Sequence, residues 1–247
     1  MRPAGRRAPG PRPGAAGLAP PEHAFVPSQH ALRFANGFPS APALSWSLGA
    51  VQVGVGDVAD GVCGGMVFAA LDHWRAGLPP PSDPAPPAPG SPLYRYLVRR
   101  LIDSWDLPVG PLVYLGLMSP LLGDGDRVVG PLSLRGRSRR TRDEWSRIRA
   151  VLDQGHPCPL GLVKVRSADP RLLGRNHQVL AYGYEAASGR ARLAVYDPNQ
   201  GADDDVTLDI DLEASPVVAQ LVPEVSAERE VFALFAVRYR WKSPPAR

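Results

Sequence analysis

The chain has 247 residues, 44% of them hydrophobic and 21% charged, which suits one sizeable core in an ordinary globular protein. No apolar run approaches the roughly 20 residues that a bilayer-spanning helix needs, so a helical membrane protein is not expected. The formal charge of +4 is too small to point to nucleic acid by itself, and two cysteines cannot build a disulfide framework.

A reducing, cytosolic setting is therefore the simpler reading. The apolar stretch at 15–19 is too short for the core of a cleavable signal, and secretion without one stays open. Residues 1 to about 22 are mostly Pro, Arg, Gly and Ala. They carry too few large apolar side chains to offset the entropy of ordering, and read as a disordered tail. Phe34-Ala-Asn-Gly-Phe38 follows, then an apolar–polar alternation over about 44–53.

A helix is predicted from Cys63 to about Ala76, with Gly77 as its left-handed terminator. Met66, Ala70 and Trp74 form one i, i+4 row; Cys63, Val67 and Leu71 form another. Residues 78–90 are proline-rich and read as an extended surface loop. The next helix has Ser91 as its cap and Pro92 at its first position. Leu93, Leu97, Leu101 and Trp105 make its apolar stripe. A third helix is predicted from the capping-box spelling Thr141-Arg-Asp-Glu144, burying Trp145, Ile148 and Leu152 and ending at Gly155.

Strands are predicted at 160–165, 177–184, 191–197, 206–212 and 231–239. Helices first and antiparallel strands afterwards indicate an α+β fold, two layers around one core. The expected division is a single domain over 23–242 and a short tail at 243–247.

The chemistry starts from Cys63, in Gly61-Val-Cys-Gly-Gly-Met66. A thiol at a helix N-terminus feels the positive end of the helix dipole and free backbone N–H groups, which favour the thiolate. The two glycines after it weaken the helix and are expected to leave room for a substrate at the sulfur. Downstream, the 177–184 and 191–197 strands are predicted to form a hairpin around 185–189. Pairing Tyr184 with Arg190 sets His177 opposite Asp197, an imidazole beside a carboxylate. Cys63, His177 and Asp197 then supply nucleophile, base and orienter. The Cys63 N–H is a natural oxyanion donor; Gln52 is the first choice for a second, Asn36 the next. Asn199 is a supporting residue.

Each of these residues has a plainer reading: a core cysteine, a structural histidine, a turn-forming aspartate. Cys158, between two prolines, reads as a core residue. The basic run 135–142 lacks interleaved aromatics and reads as a solvated loop and helix start, not as a nucleic-acid site. Asp203-Asp-Asp205 lacks the spacing of a known calcium loop. No cofactor and no metal is called for.

Cys63-Gly-Gly opening a helix, then Asn176-His-Gln-Val-Leu180, then Tyr196-Asp-Pro-Asn199, resembles papain-like cysteine peptidase domains. The pattern is most similar to the bacterial branch that includes the peptidase domains of peptide-exporting transporters. The resemblance spans roughly residues 34–240 in layout and three short strings in detail. It implies a helical lobe meeting a sheet lobe at a Cys-His-Asp site, and a peptide or protein substrate. The position six residues before the nucleophile, usually glutamine in such domains, is Asp57 here. Three functions stay open on this basis: a thiol hydrolase, an acyltransferase or deamidase-type effector on the same triad, and an inactive binding scaffold. Oligomeric state is not specified by the sequence.

Overall fold

A computed structural model describes residues 24–38, 45–48, 51–54, 62–129, 131–223 and 230–245. The N-terminal tail expected over 1–22 and Asp57 lie outside the described residues. A short turn of helix, α1 (Pro27–His30), and a hairpin of β1 (Ser45–Leu48) and β2 (Val51–Gly54) precede the main elements. Then come α2 (Cys63–Arg75), α3 (Pro92–Ser104) and α4 (Val109–Met118), a small hairpin of β3 (Arg127–Val129) and β4 (Leu132–Leu134), and α5 (Arg137–Leu152). The rest is strand: β5 (Cys158–Val163), β6 (His177–Ala187), β7 (Arg190–Tyr196), β8 (Thr207–Asp211), β9 (Val218–Val222), β10 (Glu230–Val231) and β11 (Ala233–Ala236). The fold is α+β. Its main sheet is antiparallel, in the order β10-β9-β8-β7-β6-β5-β11.

The sheet has helices on both faces, so the two-layer expectation is corrected to three layers. Alternating residues explain how. On one face Leu160, Leu162, Val179, Leu193, Val195 and Leu208 pack with Trp145 and Ile148 of α5. On the other, Leu180 and Tyr196 pack with Val67, Phe68, Leu71 and Trp74 of α2. Tyr114, Leu117 and Met118 of α4 cover Val163, Ala233 and Phe235 beside it. The face of α2 turned from the sheet meets α3 through Met66, Ala69 and Leu97. Every residue from Cys63 to Trp74 is buried, because the sheet covers one side of the helix and α3 the other.

α3 begins as its sequence specifies: Ser91 Oγ accepts the Tyr94 N–H at 3.2 Å. Gly77 sits at φ +65, just past the α2 terminus. The proline-rich segment at 78–90 runs without helix or strand along the surface.

Three expectations are corrected. α5 starts at Arg137, four residues before the Thr141 capping box, with Gly136 as its cap residue. Glu144 is not a capping partner; its carboxylate accepts the Ala236 N–H at 3.1 Å from the sheet edge. The basic run is not all solvated. Arg137 is buried, with Nε donating to Leu117 O at 2.7 Å and its other nitrogens to Leu122 O and Ser119 O. Arg142 donates to Leu212 O and Ala214 O at 2.7 and 2.9 Å. Both arginines satisfy loop carbonyls that would otherwise lack partners.

The helical layer is joined by a buried ion pair. Arg100 Nε lies 2.7 Å from Asp72 Oδ2, and both side chains are withdrawn from water. Tyr96 and Tyr239 donate to the same carboxylate at 2.7 Å each, and the Lys242 N–H donates at 3.1 Å. Residues 239–242 thereby form a strap over the ends of α2 and α3. Lys242 Nζ reaches Asp103 at 2.8 Å, and Arg240 O accepts from Arg100 at 2.9 Å. Burial is the largest influence on the Asp72 carboxyl and leaves its pKa raised, against the pull of Arg100 and the three donors. Replacing Arg100 by Met strands that carboxylate without a counter-charge. The variant is expected to lose about 3–5 kcal/mol of stability, measured by urea unfolding; a loss under about 1 kcal/mol would show the pair to be dispensable.

Candidate active site

Cys63 is the first residue of α2, and Val62 before it offers no side-chain cap. Met66 N–H is the first to close on the helix, onto Val62 O at 2.9 Å. The N–H groups of residues 63–65 precede that bond and have no acceptor within the helix. The sulfur thus sits over the positive end of a helix that is itself immobilised between sheet and α3.

The two glycines after Cys63 have a different purpose from the one expected. A Cβ on Gly65 would stand 2.2 Å from Leu97 O, so glycine lets the backbones of α2 and α3 touch. A Cβ on Gly64 would stand 2.2 Å from Ser104 Oγ and 2.6 Å from Gln178 Oε1. They make room for protein.

His177 opens β6, where it pairs with Leu162 of β5. The hairpin that follows turns through Ser188 and Gly189, both at positive φ, so Ala187 pairs with Arg190. This is the two-residue turn that suits twisted strands. It corrects the expected register: Tyr184 pairs with Leu193, not Arg190, and a bulge at Tyr182 then brings Leu180 opposite Tyr196. In that register Asp197 lies beyond the strand.

His177 and Asp197 meet nonetheless, by another route. The chain leaves β7 into a 3-10 turn, Pro198–Gln200, with Asp197 at its cap position. The Asp197 carboxylate accepts the Asn199 N–H at 2.8 Å and faces His177 Nε2 at 2.7 Å. The turn-former and the orienter are the same residue. With Nε2 engaged by Asp197, Nδ1 is the ring nitrogen left, and the Cys63 side chain is one of the groups that raise the pKa of this ring.

The electrostatics favour an ion pair. Burial works to lower the His177 pKa, yet the Asp197 carboxylate and then Cys63 outweigh it and raise it to about 10. Burial works to raise the Asp197 pKa, yet His177, the Asn199 N–H and Gln200 keep it lowered. Cys158 is the contrast: burial, then the Glu144 charge, pushes its thiol up to about 12. It is a core residue at the start of β5, as the sequence indicated.

Asn36 lies beside the residue that precedes the thiol. Its Nδ2 donates to Asn199 Oδ1 at 3.1 Å, its Oδ1 accepts the Val62 N–H at 2.8 Å, and its own N–H donates to Pro198 O at 2.8 Å. It ties the residue before the nucleophile to the turn that carries Asp197. Asn199 is joined to Asn36 by this link. Gln52 lies in β2, opposite Ser47; its side chain is outside the described residues. Sequence reasoning passed over Tyr114, whose hydroxyl donates to His177 O at 3.4 Å, and Gln178, although Gln178 stands in the same string as His177.

Among the described residues no group of three or more His, Cys, Asp and Glu side chains could hold a metal ion. Asp204, in the acidic run, accepts from Ser28 N and Oγ at 2.8 and 2.6 Å and so anchors α1. No described helix is long and apolar enough to cross a membrane.

Two outcomes follow from this geometry. In the folded chain the His177 pKa lies above its unfolded value of about 6.5, so the His177–Asp197 pair stabilises fully below that pH. The contribution fades as pH rises towards about 10. Asp197→Asn removes the carboxylate and should abolish that alkaline decline in urea midpoints measured from pH 5 to 10. Separately, Gly65→Ala should cost about 3 kcal/mol, because the obstacle is backbone. Gly64→Ala meets two side chains that can shift and should cost less, by the same unfolding assay.

No protein-family model, no curated protein and no solved structure matches this chain.

Proposed function

We propose that the chain is a thiol hydrolase of the papain-like type, acting on a peptide or isopeptide bond through Cys63, His177 and Asp197. The observation that carries this reading is the 2.7 Å contact between His177 Nε2 and Asp197 Oδ1, with Cys63 acting on the same ring. A raised imidazole pKa beside a thiol favours transfer of the Sγ proton to Nδ1. The thiolate adds to the substrate carbonyl carbon, and its oxygen takes up the negative charge beside the Cys63 N–H. Collapse of the adduct expels the amine, which takes the proton from His177, and leaves a thioester on Sγ. Water, deprotonated by His177, then attacks the thioester and releases the acid and the thiol. Asp197 holds the ring in one orientation through both halves.

A peptidyl vinyl sulfone should label Cys63 and leave Cys158 untouched, since the Cys158 thiol is buried and its pKa is pushed up to about 12. Cys63→Ala and His177→Ala should each lower hydrolysis of a fluorogenic peptide library by about a thousandfold or more, with unfolding midpoints reported alongside. Equal labelling of the two thiols, or none, would sink the proposal.

A further inference from the structure

Gln178 follows His177 on β6 and points towards α2, in step with Leu180. It is only 4% exposed. Its side chain lies close enough to the Tyr114 hydroxyl to lower the pKa of that group, and the same hydroxyl donates to His177 O at 3.4 Å. Its Oε1, in contrast, is buried with no hydrogen-bond partner. A buried acceptor left unsatisfied costs about 1–3 kcal/mol, so packing alone does not call for glutamine at this position. An apolar side chain of the same length would fill the space without that cost.

What the amide touches gives it a use. Oε1 lies 2.6 Å from the point a Gly64 Cβ would occupy, against the first turn of the helix that carries Cys63. Tyr114 is near enough to Cys63 for the thiol's charge to act on it. Gln178 is therefore a wedge between two pieces of backbone. One bears the thiol at Cys63–Gly64; the other bears the imidazole at His177. A planar amide held by Tyr114 is stiffer than an alkyl chain of equal length, and stiffness is what a fixed separation needs.

We propose that Gln178, braced by Tyr114, is a positioning residue that sets the distance between Cys63 Sγ and the His177 ring. It does not touch the reacting atoms; it acts through the backbones of α2 and β6. This rests on the thiol-hydrolase reading of the site.

The test uses the full chain with Gln178→Leu, Tyr114→Phe and the double variant. The rate of Cys63 alkylation by iodoacetamide is followed against pH by mass spectrometry of the Cys63 peptide, with the Tm of each protein. Both single variants keep nearly the original volume, and Tyr114→Phe reads the same link should Gln178→Leu fail to fold. The expected result is a fall in alkylation rate at pH 6 of about ten- to a hundredfold. The double variant should lose no more than the worse single one, as members of one linkage do. Peptide hydrolysis should fall in kcat with KM little changed. A wild-type Cys63 that alkylates faster than in the His177→Ala variant, at a rate the folded Gln178 and Tyr114 variants keep, overturns this inference alone, whatever their Tm. A wild-type Cys63 that alkylates no faster than in the His177→Ala variant overturns the hydrolase reading and this inference with it.

Discussion

A carboxylate and a guanidinium, Asp72 and Arg100, are both hidden from water, and the helical layer depends on their meeting. Neither charge can be buried alone without a penalty of several kcal/mol, so α2 and α3 reach their native contact together or not at all. The pair lies nine residues along α2 from Cys63, two and a half turns up the same rigid rod. At the other end Gly65 lets the Leu97 carbonyl close in. A helix clamped in this way at two heights cannot slide or roll, and the thiol at its tip inherits that fixity.

The site is assembled from three backbones, and each is pinned by a polar contact outside the triad. Asn36 holds the residue before Cys63 and reaches Asn199 and Pro198 in the Asp197 turn. The cap geometry of that turn aims the carboxylate. Asn176, just before His177, is buried, with its Oδ1 accepting the Lys164 N–H at 3.1 Å and its Nδ2 donating to Leu173 O at 3.0 Å. The imidazole and its neighbours are thus oriented by groups whose own conformations are fixed, which is the condition for a preorganised site.

The sequence made some of this legible for identifiable reasons. Ser91-Pro92 and Gly77 are strong punctuation, and α3 and the end of α2 fall where they indicate. The three site residues stood out because each sits beside a local signal: a helix start, a strand start, a turn. What stayed hidden was whatever depends on distant partners. α4 contains Gly110, Pro111 and Gly116 and has no polar face, so its sequence does not spell a helix; packing on Val163, Ala233 and Phe235 supplies the missing stability. β9 lies between two prolines that conceal a five-residue alternation. The start of α5 was masked by arginines, one of which is buried by carbonyls contributed from α4 and the loop after it. The hairpin register failed because Ser188-Gly189 turns more tightly than the five-residue loop assumed. The His177–Asp197 contact forms nonetheless, because Asp197 has already left the strand.

The strap has a consequence in time as well as in space. Asp72 and the Tyr239 hydroxyl that bonds it are 167 residues apart in the chain. At synthesis rates of about 5–20 residues per second, Asp72 waits roughly ten to thirty seconds after it is made before Tyr239 exists. Over that interval Tyr96 and Arg100, only 24 and 28 residues away, are the side chains it can meet. The strand that bears His177 and the turn that bears Asp197 are also still emerging. The helix that carries the thiol therefore acquires its last polar partners after its base and orienter have been made. A ribosome-bound chain interrupted between residues 197 and 239 holds all three members of the candidate triad, while the helix that carries Cys63 is not yet fastened down.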